Sequence, residues 1–170
     1  MGGRIWVESE PGVGSQFHVE LPLSSGVAVI ATDELTVVDL PPLKLLVVDD
    51  VPQNLELMQL TLGRLGHAVT NASNGEEAVE IFTGGCFDLV LMDVQMPVLN
   101  GLDASRRIRR LESETGRPPT PIIALTANAF AEDAKAAHDA GMNAHLSKPL
   151  DFNKLKNILA RIKKNGSVSL

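Results

Sequence analysis

Hydrophobic and polar residues follow two regular patterns along residues 44–164 of the chain. Short, unbroken apolar runs such as Leu45–Val48 and Leu89–Met92 recur, with enough sequence between them for a helix. Unbroken runs are typical of parallel strands that are covered on both faces. The strands predicted in this way are Lys44–Asp49, His67–Asn71, Phe87–Asp93, Pro121–Thr126 and Asn143–Ser147.

The segments between these runs have the period of helices that pack on one side, because their apolar residues recur every three or four positions. The predicted helices are Gln53–Leu65, Gly75–Phe82, Gly101–Glu114, Ala129–Ala140 and Phe152–Lys163. Strict alternation of strand and helix predicts an α/β fold with a doubly wound, five-stranded parallel sheet and right-handed crossovers.

The chain before this region has a different pattern. Residues 4–8 and 16–21 alternate between apolar and polar around a Gly- and Pro-containing turn, which predicts a β-hairpin. A lone hairpin is marginally stable in water, so we interpret residues 1–23 as the remnant of a larger sheet. Residues 24–43 are predicted to be a linker, and residues 165–170 a disordered tail.

Composition narrows the function classes. The net charge of −6 and the low aromatic content argue against binding to nucleic acid. No apolar run is long enough to span a bilayer, and the start of the chain lacks the apolar core of a signal peptide. The single cysteine, Cys86, excludes an internal disulfide and favours the reducing cytoplasm; we expect it to be buried as a small apolar residue.

Charged and hydroxyl side chains follow four of the five predicted strands. Asp49 and Asp50 come after the first strand and Asp93 ends the third, while Thr126 and Lys148 end the fourth and fifth. The carboxyl ends of parallel strands meet at one edge of the sheet, which is where ligands bind in open α/β folds. Clustered carboxylates repel one another unless a cation lies among them, and oxygen ligands favour Mg²⁺.

This set of groups is suited to phosphoryl transfer. Asp93 is the predicted nucleophile, which would form an acyl phosphate. Asp50 and Asp93 would hold Mg²⁺ directly and Asp49 would hold it through water, which neutralises the transferring oxygens. Lys148 and Thr126 would hold the phosphoryl group in the product.

Four segments resemble the motifs of response-regulator receiver domains, and the likeness extends over residues 44–164. They are Val47–Asp50, Leu91–Gly101, Ile123–Ala127 and Ser147–Leu150. The resemblance implies a flavodoxin-like strand order 2-1-3-4-5 and phosphorylation of the aspartate by a phosphohistidine donor. It also implies that the backbone carbonyl of Gln95 completes the metal shell and that the Lys148–Pro149 bond is cis.

The same family implies a conformational switch that links the hydroxyl of Thr126 to an aromatic residue on the last strand. His145 occupies that aromatic position here, where family members often have Tyr or Phe. This departure leaves the phosphorylation chemistry intact, and it leaves open whether His145 works as the switch residue.

The N-terminal hairpin is similar to the closing strands of a histidine-kinase ATP-binding domain, through the segments Gly2–Ser9, Gly12–Phe17 and Leu21–Leu23. The combination resembles the end of a hybrid sensor histidine kinase. Whether that longer kinase is anchored in a membrane is left open. The kinase core motifs do not occur in these residues, so the only catalysis expected is the domain's own aspartyl phosphorylation.

The implied partners are a histidine-phosphorylated domain, in its own kinase or in a partner kinase, and a downstream phosphotransfer domain. No membrane contact is expected, and dimerisation is left open.

Three other functions share this fold class. A flavodoxin-like cofactor binder would need a small-residue phosphate loop where Asp49–Pro52 stands, and an Asp-nucleophile phosphohydrolase would need an acid at Gln95. A pseudo-receiver that only binds proteins is the third, and the intact set of Asp50, Asp93, Thr126 and Lys148 argues against it.

Overall fold

The computed structural model describes residues 3–20, 22, 42–127 and 131–165, without the side chains of 131 and 162–165. The predicted linker, apart from its last two residues, lies outside the described residues, as does the tail beyond residue 165. The chain divides into two compact units, residues 1–36 and 37–170.

The first unit contains the predicted hairpin. Strand β1 (Arg4–Glu10) pairs with β2 (Gly14–Glu20) in antiparallel register. Because side chains alternate between the two faces, one face is apolar, and the other is polar apart from Trp6. The apolar face carries Ile5, Val7, Phe17 and Val19, all exposed.

The second unit is the predicted α/β domain. Its elements are β3 (Lys44–Val48), α1 (Pro52–Arg64), β4 (Ala68–Ala72), α2 (Gly75–Gly84), β5 (Leu89–Asp93), α3 (Gly101–Thr115), β6 (Ile122–Thr126), α4 (Ala131–Asp139), β7 (Ala144–Ser147) and α5 (Phe152–Asn165). The five strands are parallel and ordered β4-β3-β5-β6-β7, which confirms the flavodoxin-like order. Element ends agree with the sequence prediction within two residues.

Two hydrophobic cores cover the two faces of this sheet. One joins Leu45 and Leu91 to residues of α1 and α5, including Leu62. The other joins Leu46 to residues of α2 and α3, including Phe82. Neighbouring residues of a strand point to opposite faces, so an unbroken apolar run supplies both cores.

Cys86 departs from the prediction, because it is exposed. Strand β5 begins at Leu89 and not at Phe87, so Cys86 lies in the loop after α2. The adjacent Phe87 fills the apolar position by stacking on Phe82, with ring centroids 6.1 Å apart.

His67, which the sequence pattern placed at the start of the second predicted strand, is buried in the turn between α1 and β4. Its Nδ1 accepts a hydrogen bond from the backbone N–H of Leu43 at 3.3 Å. An accepting Nδ1 requires a neutral ring, and burial lowers the pKa of His67 below its usual value.

The free energy of unfolding should therefore decrease as the solution is acidified. The unfolded chain binds a proton at His67 near pH 6.5, whereas the folded chain resists it, so this contribution is complete above that pH and is lost below it. Urea denaturation of the chain and of His67→Asn between pH 7.5 and 5.5 measures the effect. The variant should depend less steeply on pH, and equal slopes would contradict this account.

Candidate functional site

The sheet brings the predicted site residues to one edge. Val48 pairs with Met92, so Asp49, which follows β3, lies next to Asp93 at the end of β5. On the other side of β5, Thr126 pairs with Ser147, which places Lys148 one residue beyond β7 at the same edge. The backbone N–H of Lys148 extends this pairing by donating to the carbonyl of Thr126 at 2.7 Å.

The Lys148 ammonium bridges two buried carboxylates. Its Nζ lies 2.7 Å from Asp49 Oδ2 and 2.6 Å from Asp93 Oδ2. The two aspartates are only 2% and 5% exposed. The Lys148–Pro149 bond is cis, as the resemblance implied.

A third acid, Asp50, joins the pair from an exposed position. One carboxylate oxygen from each of Asp49, Asp50 and Asp93 lies within 4.8 Å of the others. Oxygens that share one Mg²⁺ at about 2.1 Å stand at most about 4.2 Å apart. The cluster is therefore close to the spacing of a common ligand set, and its all-oxygen chemistry fits a hard divalent cation.

Burial and charge act against each other in this cluster. Burial raises the pKa of Asp93, and the hydrogen bonds from Lys148 and from the N–H of Gln95 offset only part of that rise. Burial alone would lower the pKa of Lys148, but its hydrogen bonds to Asp49 and Asp93 outweigh it and raise the pKa. A bound divalent cation would favour the ionised form of Asp93.

The loop after β5 holds Asp93 firmly. The N–H of Gln95 donates to Asp93 Oδ1 at 3.1 Å, and the N–H of Val94 donates to the carbonyl of Leu125 at 3.0 Å. Gly101 begins α3 against the backbone of Asp93, and a Cβ at this glycine would overlap the Asp93 carbonyl oxygen. The close approach of these two backbones requires glycine.

The two residues of the predicted switch occupy different environments. Thr126 is buried at the end of β6, beside the acidic cluster in the strand order. His145 is exposed on β7. It pairs with Ala124 on the neighbouring strand β6, two residues before Thr126. It lines a surface pocket of about 210 Å³ together with residues of α4, including Ala134 and Ala137.

Asn54 contributes to this site in a way that the sequence did not reveal. The sequence pattern placed it only within the first predicted helix, Gln53–Leu65. In the structure its Nδ2 donates to both oxygens of Asp49, at 2.9 and 3.1 Å. The N–H of Val51 also donates to Asp49 Oδ1 at 3.0 Å. Asp49 is therefore fixed in orientation by the first turn of α1.

Substitution Asn54→Ala should lower the free energy of unfolding by about 1–3 kcal/mol, because it removes a donor from a buried carboxylate. Asn153→Ala is the matched control, since Asn153 lies in the first turn of α5 and its side chain is exposed. Urea denaturation of both variants measures the difference. Equal midpoints would show that the hydrogen bonds of Asn54 do not stabilise the site.

Comparison with known proteins identifies the fold and the family. Residues 45–160 match the family model of the response regulator receiver domain. The chain belongs to this family. It is 40% identical to the aerobic respiration control sensor protein ArcB of Escherichia coli over 163 residues, which are 95% of this chain and 20% of ArcB. This receiver-containing chain thus spans about a fifth of the length of that relative.

Solved receiver domains have the same architecture. The receiver domain of the sensor histidine kinase PA1611 from Pseudomonas aeruginosa is 39% identical, with a TM-score of 0.64 over 71% of this chain and 96% of that one. That structure has a magnesium ion coordinated in its active-site cleft. The receiver domain of Saccharomyces cerevisiae Ssk1, crystallised with the histidine phosphotransfer protein Ypd1, is 32% identical, with a TM-score of 0.69 over 71% of this chain and 88% of that one. Among the described helices, none has the length and apolar character needed to cross a membrane.

Proposed function

We propose that this receiver domain takes a phosphoryl group from phosphohistidine onto Asp93. The observation that carries the proposal is the position of Asp93, a buried carboxylate bonded to Lys148 and clustered with two further acids at the carboxyl edge of the sheet. An Asp93 oxygen would form the new P–O bond as the P–N bond of the donor breaks. The electron pair of that bond would leave with the imidazole nitrogen.

The donor set fits Mg²⁺, which when bound supplies neutralising charge for the phosphoryl oxygens. Asp50 and Asp93 would hold the ion directly. Asp49 would hold it through water, because each Asp49 oxygen already accepts two hydrogen bonds, from Val51, Asn54 and Lys148, whereas the described contacts give each Asp93 oxygen one. The backbone carbonyl of Gln95 would complete the shell. The exposure of Asp50 leaves its oxygens accessible from solvent.

Lys148 and Thr126 would hold the phosphoryl group once it is on Asp93. Lys148 already reaches Asp93 Oδ2, so a small movement of its flexible side chain would bring the ammonium to a phosphoryl oxygen. Thr126 would add a hydroxyl donor and, with His145, would form the switch that relays phosphorylation to the α4 side of the sheet. The exposed position of His145 supports a readout at the surface pocket beside α4.

The partner of this site would be a domain that carries a phosphorylated histidine, in the same or a partner kinase, or a downstream phosphotransfer domain. Leu57 and Leu60 are about half exposed on α1 (54% and 55%). An apolar groove of about 140 Å³ runs from Leu57 to Phe152 and also reaches Lys148. Exposed apolar surface of this kind is typical of protein-interaction sites. The Ypd1–Ssk1 complex supports the same class of partner.

The longer protein would be a hybrid sensor histidine kinase with a membrane-anchored sensor and a receiver in the cytoplasm. In this proposal residues 1–23 end its ATP-binding domain, 24–43 link the domains, 44–164 form the receiver and 165–170 are a tail. The match to ArcB covers 95% of the chain and therefore extends beyond the receiver. The exposed apolar face of the hairpin supports its origin in a larger sheet.

Incubation with acetyl phosphate and Mg²⁺, followed by intact mass measurement, tests the function. We expect the chain to gain one phosphoryl group, and Asp93→Asn or a chelator to abolish the gain. Asp139→Asn is the control, because it removes an exposed aspartate on α4. No gain in the unaltered chain would favour the pseudo-receiver instead.

A further inference from the structure

Asn54 is the one donor, among the described contacts of Asp49, that bonds to both of its carboxylate oxygens. Asp49 Oδ1 accepts hydrogen bonds from the N–H of Val51 at 3.0 Å and from Asn54 Nδ2 at 2.9 Å. Asp49 Oδ2 accepts from Asn54 Nδ2 at 3.1 Å and from Lys148 Nζ at 2.7 Å. A carboxylate has two lone pairs on each oxygen. All four are therefore used, and Asn54 occupies one on each oxygen.

The first turn of α1 fixes the side-chain amide of Asn54 beside Asp49. The helix begins at Pro52, whose ring restricts φ, and the N–H of Asn54 donates to the carbonyl of Val51 at 3.0 Å. Asp49 is only 2% exposed, so water has little access to its oxygens. A buried carboxylate between fixed donors has little freedom to turn. Asn54 therefore restricts which atoms Asp49 can offer to a cation.

Lys148 is the mobile member of these contacts, whereas Val51 and Asn54 belong to the start of a helix. When the flexible Lys148 side chain moves to a phosphoryl oxygen, it releases one lone pair on Asp49 Oδ2. The bonds from Val51 and Asn54 stay in place. Asp49 is then left with one free lone pair on one oxygen, which is enough to hold a metal-bound water molecule.

Mg²⁺ and Ca²⁺ differ in what they require from a carboxylate. Mg²⁺ binds six ligands at about 2.1 Å and keeps several water molecules, while Ca²⁺ binds about six to eight oxygens at about 2.3–2.6 Å. Ca²⁺ often takes both oxygens of one carboxylate, and this requires a free lone pair on each oxygen. The hydrogen bonds of Asn54 use these two lone pairs, so Asp49 cannot bind Ca²⁺ in this way.

We propose that Asn54 determines the selectivity of this site for Mg²⁺ over Ca²⁺, and this inference rests on the metal site of the proposed function. Asn54 is a positioning residue, because it acts through Asp49. By keeping Asp49 from binding the ion directly, it favours the cation that keeps its water molecules. Those water positions are the ones that phosphoryl oxygens can take.

The test measures the affinities for Mg²⁺ and for Ca²⁺ by isothermal titration calorimetry in the full chain and in three variants. Asn54→Ala removes both hydrogen bonds. Asn54→Asp keeps the shape of the side chain but cannot donate when ionised, and an acid in the first turn of a helix is favourable, so it serves if Asn54→Ala does not fold. Asn153→Ala is the control, because Asn153 is exposed in the first turn of α5. Thermal denaturation without metal reports on folding.

We expect the ratio of the Mg²⁺ affinity to the Ca²⁺ affinity to fall about tenfold in both Asn54 variants, the usual effect of an outer partner of a metal ligand. The ratio should not change in Asn153→Ala. A merely structural role would weaken the binding of both cations together, so an unchanged ratio in a folded Asn54 variant would overturn the inference and leave the proposed function intact. No Mg²⁺ binding to the unaltered chain would overturn the metal site of the proposed function, and the inference with it.

Discussion

Lys148→Ala will lower the rate of phosphoryl uptake from acetyl phosphate by about 100-fold or more, which is the usual effect of removing one donor to developing charge in a closed site. The ammonium touches both Asp49 and Asp93 and would have to stabilise the phosphoryl oxygens. Alanine leaves no cation of the chain in that position. Initial rates of uptake, measured by intact mass at saturating Mg²⁺, give the size of the effect.

The same variant should lose about 2–3 kcal/mol of unfolding free energy, since two buried carboxylates lose their shared partner. This loss in unfolding free energy is smaller than the loss expected for a fully buried ion pair, because the Lys148 side chain is 27% exposed. Added Mg²⁺ should stabilise Lys148→Ala more than the unaltered chain. Lys135→Ala, an exposed lysine of α4, is the control. A stable, rapidly phosphorylated Lys148→Ala would remove this residue from the mechanism.

Gly101→Ala will have the second large effect, although Gly101 has no side chain and takes no part in the chemistry. A Cβ at this position would lie 2.9 Å from the carbonyl carbon of Asp93 and overlap the carbonyl oxygen. The backbone that carries Asp93 therefore has to move. We expect a loss of about 1–3 kcal/mol in unfolding free energy. We also expect phosphoryl uptake to fall by about 10-fold or more, because displacements near 1 Å at a reacting group cost up to about 100-fold.

Gly63→Ala is the matched control for this substitution. Gly63 lies within α1, and a Cβ there would meet nothing within 4 Å. Alanine at an exposed helical glycine stabilises by about 0.5–1 kcal/mol, so this variant should be more stable and fully active. If Gly101→Ala behaves like Gly63→Ala in denaturation and phosphorylation, the proposed backbone contact does not position Asp93.

The sheet and the members of the site were predictable from sequence because their signals are local. The run Leu45–Val48 is fully buried, as unbroken apolar strands should be. Asp49, Asp93 and Lys148 meet because strand ends of a parallel sheet share an edge. The strand order itself was implied by the family resemblance, since the period of a pattern does not say which strands are neighbours.

Other features depend on contacts between distant segments, which a pattern does not contain. The hydrogen bond from Asn54 to Asp49 depends on the angle at which α1 leaves the sheet. The burial of His67 depends on the position of Leu43, whose N–H donates to its ring. Cys86 was wrongly expected to be buried, because the expectation rested on the apolar character of cysteine and not on its position in a loop. The positive φ of Val98 is set by the turn around it and contradicts the preference of valine itself.

The central claim is that Asp93, within a cluster of acids that holds Mg²⁺, carries the phosphoryl group. The most direct measurement is reduction of the phosphorylated chain with borohydride, which converts an aspartyl phosphate to homoserine, followed by peptide sequencing by mass spectrometry. The account predicts homoserine at position 93 alone, and only when Mg²⁺ was present during phosphorylation. Homoserine at position 49 or 50, or equal labelling in the presence of a chelator, would contradict it.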